Sequence, residues 1–488
     1  MIPTFIGLVT VAIGIWLLLR GTPLQLLCAM LAMGLFEASA AVILTALSGS
    51  SIPPPRFALG FLALAVIQQI QTRSSLLREA VGANLAFVTF AAYGLISAFF
   101  LPKIFAGQIN VVPMRAGGLR HLTDTLPLFF SAQNITTGFY MAGTGLTAVC
   151  AYIACRLSPN VSLIVKFCVG IALVQAVTGI MGVALSGTPW DLVVDFVRNG
   201  SYSQLRQAAE GYVRISGFMA EPSAYSRLSI PWMILAFELW LRKISPAWTG
   251  FAALLLAAVL VLSTSSTAYI GLAGYALLLG ARFATLPRYL AADRVVPLAI
   301  FMMLGFIMML GLILFYGPAA DAFAEMVDQM TVGKSSSDSG QQRMFWAMQG
   351  INAFTFSMGL GIGAGSFRSS SLIMAIIGSM GVIGIVTFVA SCAVLFLPRK
   401  PMEDKTRQAI SEATAWAAVA GLIPAMVMLG APDPGMEFAA FAGISLALRR
   451  PALEPLGARA SKRQADRAIL PPKAPAIPQS GGWRRSAR

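Results

Sequence analysis

The residues best placed to do chemistry are arginines and a carboxylate in one stretch, Arg214-Ile-Ser-Gly-Phe-Met-Ala-Glu221-Pro-Ser-Ala-Tyr-Ser-Arg227. A guanidinium presents a planar two-donor fork that matches phosphate, and a nearby carboxylate can take a proton from a hydroxyl. Two further arginines, Arg343 and Arg368, flank the run Gly359-Leu-Gly361-Ile-Gly363-Ala-Gly365-Ser. Glycines at that spacing let backbone approach a ligand, or let the chain turn sharply into the next helix. The run lacks the preceding strand and βαβ context of a dinucleotide-binding loop. Glu221 has two readings. Because Pro222 follows it, it fits a helix start, where the dipole favours a carboxylate; it also fits a general base, or a group that orients Arg214. The single histidine, His121, reads as a solvated loop residue or as a base, and one histidine gives little basis for a zinc site or a Ser-His-Asp triad. Ser263-Thr-Ser-Ser-Thr267 reads as a tight polar hairpin whose hydroxyls bond backbone, or as a lining for a sugar site. Glu37 and Lys166 sit in or beside apolar runs, as buried pairs or as boundary charges.

The elements that must position these residues are membrane helices. The chain has 488 residues, of which 57% are hydrophobic and only 11% charged, with a mean hydropathy of +0.75. A soluble protein of this length cannot bury that much apolar surface, so most of it must face lipid. Thirteen apolar segments are expected to span, near 2–19, 22–46, 57–71, 80–101, 136–155, 162–185, 222–241, 247–264, 267–281, 295–316, 371–397, 412–430 and 435–449. The fold class is therefore all-α, a polytopic integral membrane protein with a helical domain over 1–449. From Arg449 to Arg488 ten Lys/Arg face Glu454 and Asp466, a net of +8. That Pro/Ala-rich stretch, 450–488, reads as a disordered cytoplasmic tail near anionic lipid, not as a nucleic-acid module. The five cysteines, Cys28, Cys150, Cys155, Cys168 and Cys392, have no zinc-site spacing and read as packing residues. The start, Met1-Ile-Pro-Thr-Phe, lacks the positive region of a cleaved signal peptide, so the first span is expected to be retained.

Orientation follows the distribution of Lys and Arg. The short linkers around Arg20, Arg73/Arg78, Arg156, Arg242/Lys243, Arg282/Arg288/Arg294 and Arg399–Arg407 share one side with the basic tail, which makes that side cytoplasmic. Three longer loops, 102–135, 186–221 and 317–370, then lie on the outer face. They still carry Lys103, Arg115, Arg120, Arg198, Arg206, Arg214, Lys334, Arg343 and Arg368. Cations against the topological bias point to an anionic ligand there, or to ordinary loop charges paired with Asp191, Asp195, Asp321 or Asp328. Within the third loop, 321–330 is amphipathic, 331–342 is Ser/Gly-rich, and 341–356 has helical spacing.

Three stretches carry a family resemblance: Arg214-Ile-Ser-Gly-Phe-Met-Ala-Glu-Pro-Ser; Leu262-Ser-Thr-Ser-Ser-Thr-Ala-Tyr-Ile-Gly271; and Arg343-Met-Phe-Trp346 with Gly359–Ser366 and Gly381-Val-Ile-Gly384. In these the chain resembles the O-antigen polymerase and ligase superfamily, multi-span proteins that join lipid-linked glycans at the outer side of the bacterial inner membrane. The resemblance implies glycosyl transfer from an undecaprenyl-diphosphate-linked oligosaccharide to a sugar hydroxyl of a growing polysaccharide, with no metal, cofactor or nucleotide sugar. It implies Arg214 and Arg343 as the diphosphate-holding arginines; Glu221, from the residues themselves, is the candidate base that takes the proton from the acceptor hydroxyl. Arg227, Arg368, Gly363 and Gly365 are the further substrate-contact candidates. Membrane lipid, a chain-length regulator and a flippase are the implied partners. The ligase branch carries a histidine shortly after the glycine run; here Arg368-Ser-Ser-Ser-Leu-Ile-Met follows instead, which favours the repeat-unit polymerase over the ligase. The rival reading from the residues is a transporter or flippase, which favours ionisable residues at mid-membrane and internal repeats.

Overall fold

A computed structural model describes residues 2–45, 50–114, 121, 123–158, 160–200, 208–209, 212–285, 294, 296, 303, 338–397, 402–451 and 453. Helices begin where the sequence can cap them. The Thr4 hydroxyl accepts from the Gly7 amide at 3.1 Å at the head of α1 (Phe5–Arg20). Thr22 and Gln25 form a reciprocal capping box with Pro23 at the head of α2 (Pro23–Ala32). Ser131 and Asn134 do the same for α6 (Ala132–Leu157), and the Asp404 carboxylate caps α14 (Lys405–Ala420). Prolines open α3 (Pro54–Ile70), α9 (Pro222–Leu241) and α10 (Pro246–Leu262). The remaining helices are α4 (Ser74–Ala83), α5 (Leu85–Ile104), α7 (Ser162–Ala184), α8 (Trp190–Val197), α11 (Ser266–Thr285), α12 (Asp338–Phe356), α13 (Leu372–Val394) and α15 (Met436–Leu448).

The described protein is mostly helical, and six of its helices are long and apolar enough to cross a membrane: α5, α6, α7, α11, α13, and α14 continued to Val427. Shorter apolar helices, α1, α2, α3, α10 and α15, pack with them. Leu19, Leu254 and Leu277 are 75%, 70% and 77% exposed, an apolar surface that needs an apolar surrounding. Small residues set the close helix contacts. Gly138 and Gly145 of α6 lie against Ala98 and Ala91 of α5, and Gly443 of α15 lies against the Ala148 carbonyl of α6.

Three expected spans differ from the structure. The segment 22–46 is helical only to Phe36: α2 passes into a 3-10 turn, Met33–Phe36, and Val42–Leu44 is β2, the central strand between β1 (Ile2–Pro3) and β3 (Ser50–Ile52). Polar contacts pull the chain out of the helix there, with Glu37 paired to Arg227 and Ser39 donating to the Val197 carbonyl. The segment 80–101 is divided at Asn84, which separates α4 from α5 and whose side-chain amide donates back to the Ala80 carbonyl at 2.9 Å. The segment 412–430 belongs to a helix that begins earlier, at Lys405, and tightens to a 3-10 turn at Pro424–Val427. Of the expected span 295–316 only Val296 and Met303 are described, and 321–337 lies outside the described residues.

One element departs most from the expected loops. α12 runs alongside the first half of α13 in the same direction: the Ser370 hydroxyl donates to the Arg343 carbonyl, and Gly350 sits against Met374. After α12 the chain turns at 357–361 and returns as an extended glycine run, packed between α13, α5 and α6. α13 is interrupted at Gly381. The returning run accounts for the backbone groups released there: Ile362 N–H donates to the Gly378 carbonyl, Gly363 N–H to the Ser379 carbonyl, and Val382 N–H to the Gly359 carbonyl, each at 2.9 Å. The second half of the expected loop 317–370 is therefore a hairpin inserted into the bundle, not a free loop.

Candidate functional site

α9 and the chain before it place the central stretch. Arg214 follows β5 (Tyr212–Val213), paired antiparallel with β4 (Ala208–Ala209), and its Nη2 donates to the Thr264 carbonyl at 2.9 Å. Thr264 is the turn between α10 and α11, held at φ 48°. In that turn the Ser263 hydroxyl bonds the Leu260 carbonyl at 2.7 Å, the hairpin behaviour expected of this polar segment. Glu221 is the N-cap residue of α9, but its side chain makes no capping bond to the helix backbone; it accepts from the Ser223 hydroxyl instead. The N-cap position fits the helix-start reading, while the carboxylate itself is turned to other partners.

The inserted hairpin brings Arg368 to Glu221. The Arg368 guanidinium lies 4.1 Å over the Trp346 ring of α12, and its backbone amide donates to the Val112 carbonyl at 2.8 Å. Burial pushes Arg368 below its ordinary value, and the Glu221 charge works in the opposite direction. Arg343 sits one helical turn before Trp346, part-exposed on α12. Arg368 thus lies over Trp346 within electrostatic reach of Glu221, Arg343 is one turn away from Trp346 on the same helix, and Arg214 is anchored on the α10–α11 turn.

The glycines Gly363 and Gly365 serve a close approach, but to protein. Their φ values are 100° and 83°, and a Cβ at either would lie 2.8 Å from the Ser97 carbonyl or 2.6 Å from the Gln133 carbonyl. The amide of Asn134, in α6, fixes this run by donating to the Ala364 carbonyl at 2.9 Å and the Ser366 hydroxyl at 3.0 Å. A cavity of about 210 Å³ opens beside it, lined by Val111, Met114, Phe129, Gln133, Gly365 and Ser366.

Arg227 points elsewhere. Its Nη2 pairs with Glu37 at 2.8 Å inside the bundle, with Asp433 and Glu437 as further acidic neighbours. Asp433 in turn accepts from Arg56 at 2.7 Å and from the Thr144 hydroxyl at 3.0 Å. Glu37 is therefore a paired charge, while Lys166 is solvent-exposed. His121 is exposed too, and its backbone amide donates to Asp124. Arg115, Arg120, Arg206 and Lys334 lie outside the described residues.

Two arrangements went beyond what the sequence suggested. The first is that of Arg198, counted there only as an outer-loop cation: it is buried just after α8, and its Nη2 donates to the Ser216 hydroxyl at 2.6 Å and the Gly217 carbonyl at 2.7 Å. Burial lowers the Arg198 guanidinium and Asp195 opposes that shift. Asn199 and Gly200 also bond Ala40 and Ala38, so this segment ties the turn bearing Glu37 to the turn leading into Glu221. The second is the carboxylate set Glu37, Asp433 and Glu437, whose only sequence signal is ionisable residues at the ends of apolar runs. Among the described residues there is no group of His, Cys, Asp and Glu suited to a metal ion. Compared with known proteins, the chain matches no protein-family model, no curated protein and no solved structure.

Proposed function

We propose that this protein is a membrane glycosyltransferase of the O-antigen polymerase and ligase type, which polymerises undecaprenyl-diphosphate-linked oligosaccharide repeat units at the outer face of a bacterial inner membrane. The observation that supports the reading is that Arg368 lies over Trp346 within electrostatic reach of Glu221, on a hairpin whose helix also carries Arg343. In this reaction the acceptor hydroxyl oxygen attacks the anomeric carbon of the donor sugar. The bond from that carbon to the diphosphate oxygen breaks, and the diphosphate leaves with the electron pair. Arg343, Arg368 and Arg214 stabilise the departing anion, each with donors matched to phosphate oxygens. Glu221 takes the hydroxyl proton. The membrane holds both polyprenyl chains beside the site, which raises their effective concentration. Polymerase is preferred over ligase because no histidine follows the glycine run.

The test in cells is deletion of the gene followed by complementation. Lipid-linked repeat units should accumulate and polymer should vanish in the deletion strain, with both restored by the wild-type chain. Normal polymer in the deletion strain would overturn the proposal. The charges inside the bundle, Arg227 with Glu37 and the buried Glu238 with Arg242 and Arg282, favour a second reading as a transporter or flippase of the same lipid-linked sugars. In liposomes that reading requires the lipid-linked oligosaccharide to change leaflet without any gain in glycan length.

A further inference from the structure

Between Arg343 and Arg368 the chain carries no charged residue: 344–367 is neutral throughout. This stretch goes down as α12 and comes back as the glycine run, beside two helices that are long and apolar enough to cross a membrane, α13 and α5. Both helices gauge how deep its tip lies. On α13 the tip meets the break at Gly381, where Val382 N–H donates to the Gly359 carbonyl; Gly381 is nine residues in from Leu372, about 14 Å at 1.5 Å per residue. On α5 the tip meets Tyr93, whose hydroxyl donates to the Leu360 carbonyl at 3.4 Å; Tyr93 is eleven residues in from Ile104, about 16 Å on the same rise. Two helices that run in opposite directions thus give one depth, about half of a hydrocarbon layer roughly 30 Å thick.

Two features suit the stretch to hydrocarbon rather than to water. First, its irregular backbone is enclosed by protein. Residues 361–367 are all buried, the Gly361 amide donates to the Ser357 hydroxyl at 2.8 Å, the Ile362 and Gly363 amides go to α13 carbonyls, and the Ala364 carbonyl takes the Asn134 amide. Backbone at membrane depth requires such partners, whereas a loop in water finds them in solvent. Second, the tip and the outer face of α12 turn apolar groups outward. Met358 is 94% exposed and Leu360 51%, and Met344, Phe345, Met348 and Phe356 share the exposed face of the helix. Met358 holds a left-handed φ of 50°, where glycine or asparagine is usual at a helix end. The polar groups on that face below Arg343 are Asn352 and Thr355, and the Thr355 hydroxyl turns back to the Ile351 carbonyl at 3.0 Å. We propose that residues 344–367 form a re-entrant membrane segment: it enters the bilayer as α12, turns near mid-bilayer with its outer face against lipid hydrocarbon chains, and returns to the side it came from. α12 is not among the six helices able to cross a membrane, and a half-way insertion does not need it to be. Arg343 and Arg368, at the two ends of the segment, then share one interface, with an apolar helix face running from Arg343 into the layer of lipid chains. The inference rests on α5 and α13 as membrane spans and not on the reaction proposed above.

Nitroxide labels test it in proteoliposomes of the full-length protein carrying Cys392→Ala, since the other four native cysteines are buried. Labels on Met358→Cys and Leu360→Cys, two exposed positions that tolerate the change independently, report collisions with oxygen, which concentrates in hydrocarbon, and with a water-soluble nickel complex. Val386→Cys, on the exposed side of α13, is the membrane reference, and Gln108→Cys is the aqueous one. Both tip labels should match Val386→Cys, with strong oxygen broadening and nickel broadening lost, while Gln108→Cys shows the reverse. Nickel broadening at the tip labels beside an oxygen-dominated Val386→Cys would overturn the proposal and return the segment to an aqueous loop. Loss of both kinds of collision at the tip would overturn it as well, because another part of the chain or a second copy would then cover that face in place of lipid.

Discussion

Arg214 spends one Nη on the Thr264 carbonyl, which fixes its head group and leaves its remaining donors for an anion. Lysine in its place keeps the charge and loses the planar fork. Arg214→Lys should therefore cut polymer formation by roughly 10²-fold, the scale of losing one transition-state donor, at unchanged protein abundance. Near-normal activity in that variant would mean that charge alone matters at this position. Glu221 stands at the head of α9 without capping it, so its carboxylate is not needed to start the helix. Glu221→Gln should lower turnover by about 10²–10⁴-fold, the contribution of a positioned base, with lipid-linked repeat units accumulating and abundance little changed. A fall in abundance that matches the fall in polymer would return Glu221 to a structural role. At this scale the sequence showed which residue types are unusual in such an apolar chain, but not their pairing. Arg227 and Arg368 looked alike as loop-edge cations, yet one turns inward to Glu37 and the other lies over Trp346.

The inserted hairpin is the element that assembles the site, because it carries Arg343, Trp346 and Arg368 toward the head of α9. Its helix, α12, was legible from the apolar spacing of 341–356. Its return was not, since alternating glycines show that backbone must come close to something without showing to what. The answer is the interrupted α13 and the ends of α5 and α6, contacts that link residues far apart in sequence. Gly365→Ala places a side chain where φ is 83° and where a Cβ would sit 2.6 Å from the Gln133 carbonyl. The left-handed backbone alone costs about 1–2 kcal/mol, and the clash adds to it. The variant should melt at a lower temperature than wild type and lose activity with the displaced hairpin. An unchanged melting temperature would show that the run can relax away from α6. The misread segment 22–46 has a similar cause: its hydropathy continues past Phe36, while the contacts that end the helix, at Glu37 and Ser39, come from partners more than a hundred residues away.

Across the whole molecule, the apolar and helical character was readable from composition and run length, because apolar surface is a property of segments rather than of pairs; the number of spans was not, since thirteen were expected and six of the described helices are long and apolar enough to cross a membrane. The polar staples between helices were not. Glu238, wholly buried, takes Arg242 and Arg282 together with the Tyr275 hydroxyl, and so joins α9 to α11, while Arg242 reaches Glu412 of α14. From the sequence these arginines read as linker charges. Orientation is checked by cysteines at two exposed positions at opposite ends of the bundle, Gln108 and Glu403; four of the five native cysteines are buried. In intact spheroplasts Gln108→Cys should react with a membrane-impermeant thiol reagent and Glu403→Cys should not; the reverse pattern would invert the topology. The most direct measurement of the central claim uses the purified protein in lipid vesicles, supplied only with a polyprenyl-diphosphate-linked repeat unit and no nucleotide sugar or metal. A ladder of glycans rising by one repeat at a time, with free polyprenyl diphosphate released in step and both lost in Glu221→Gln, is the predicted result. Repeat units left at their starting length by folded protein would contradict it.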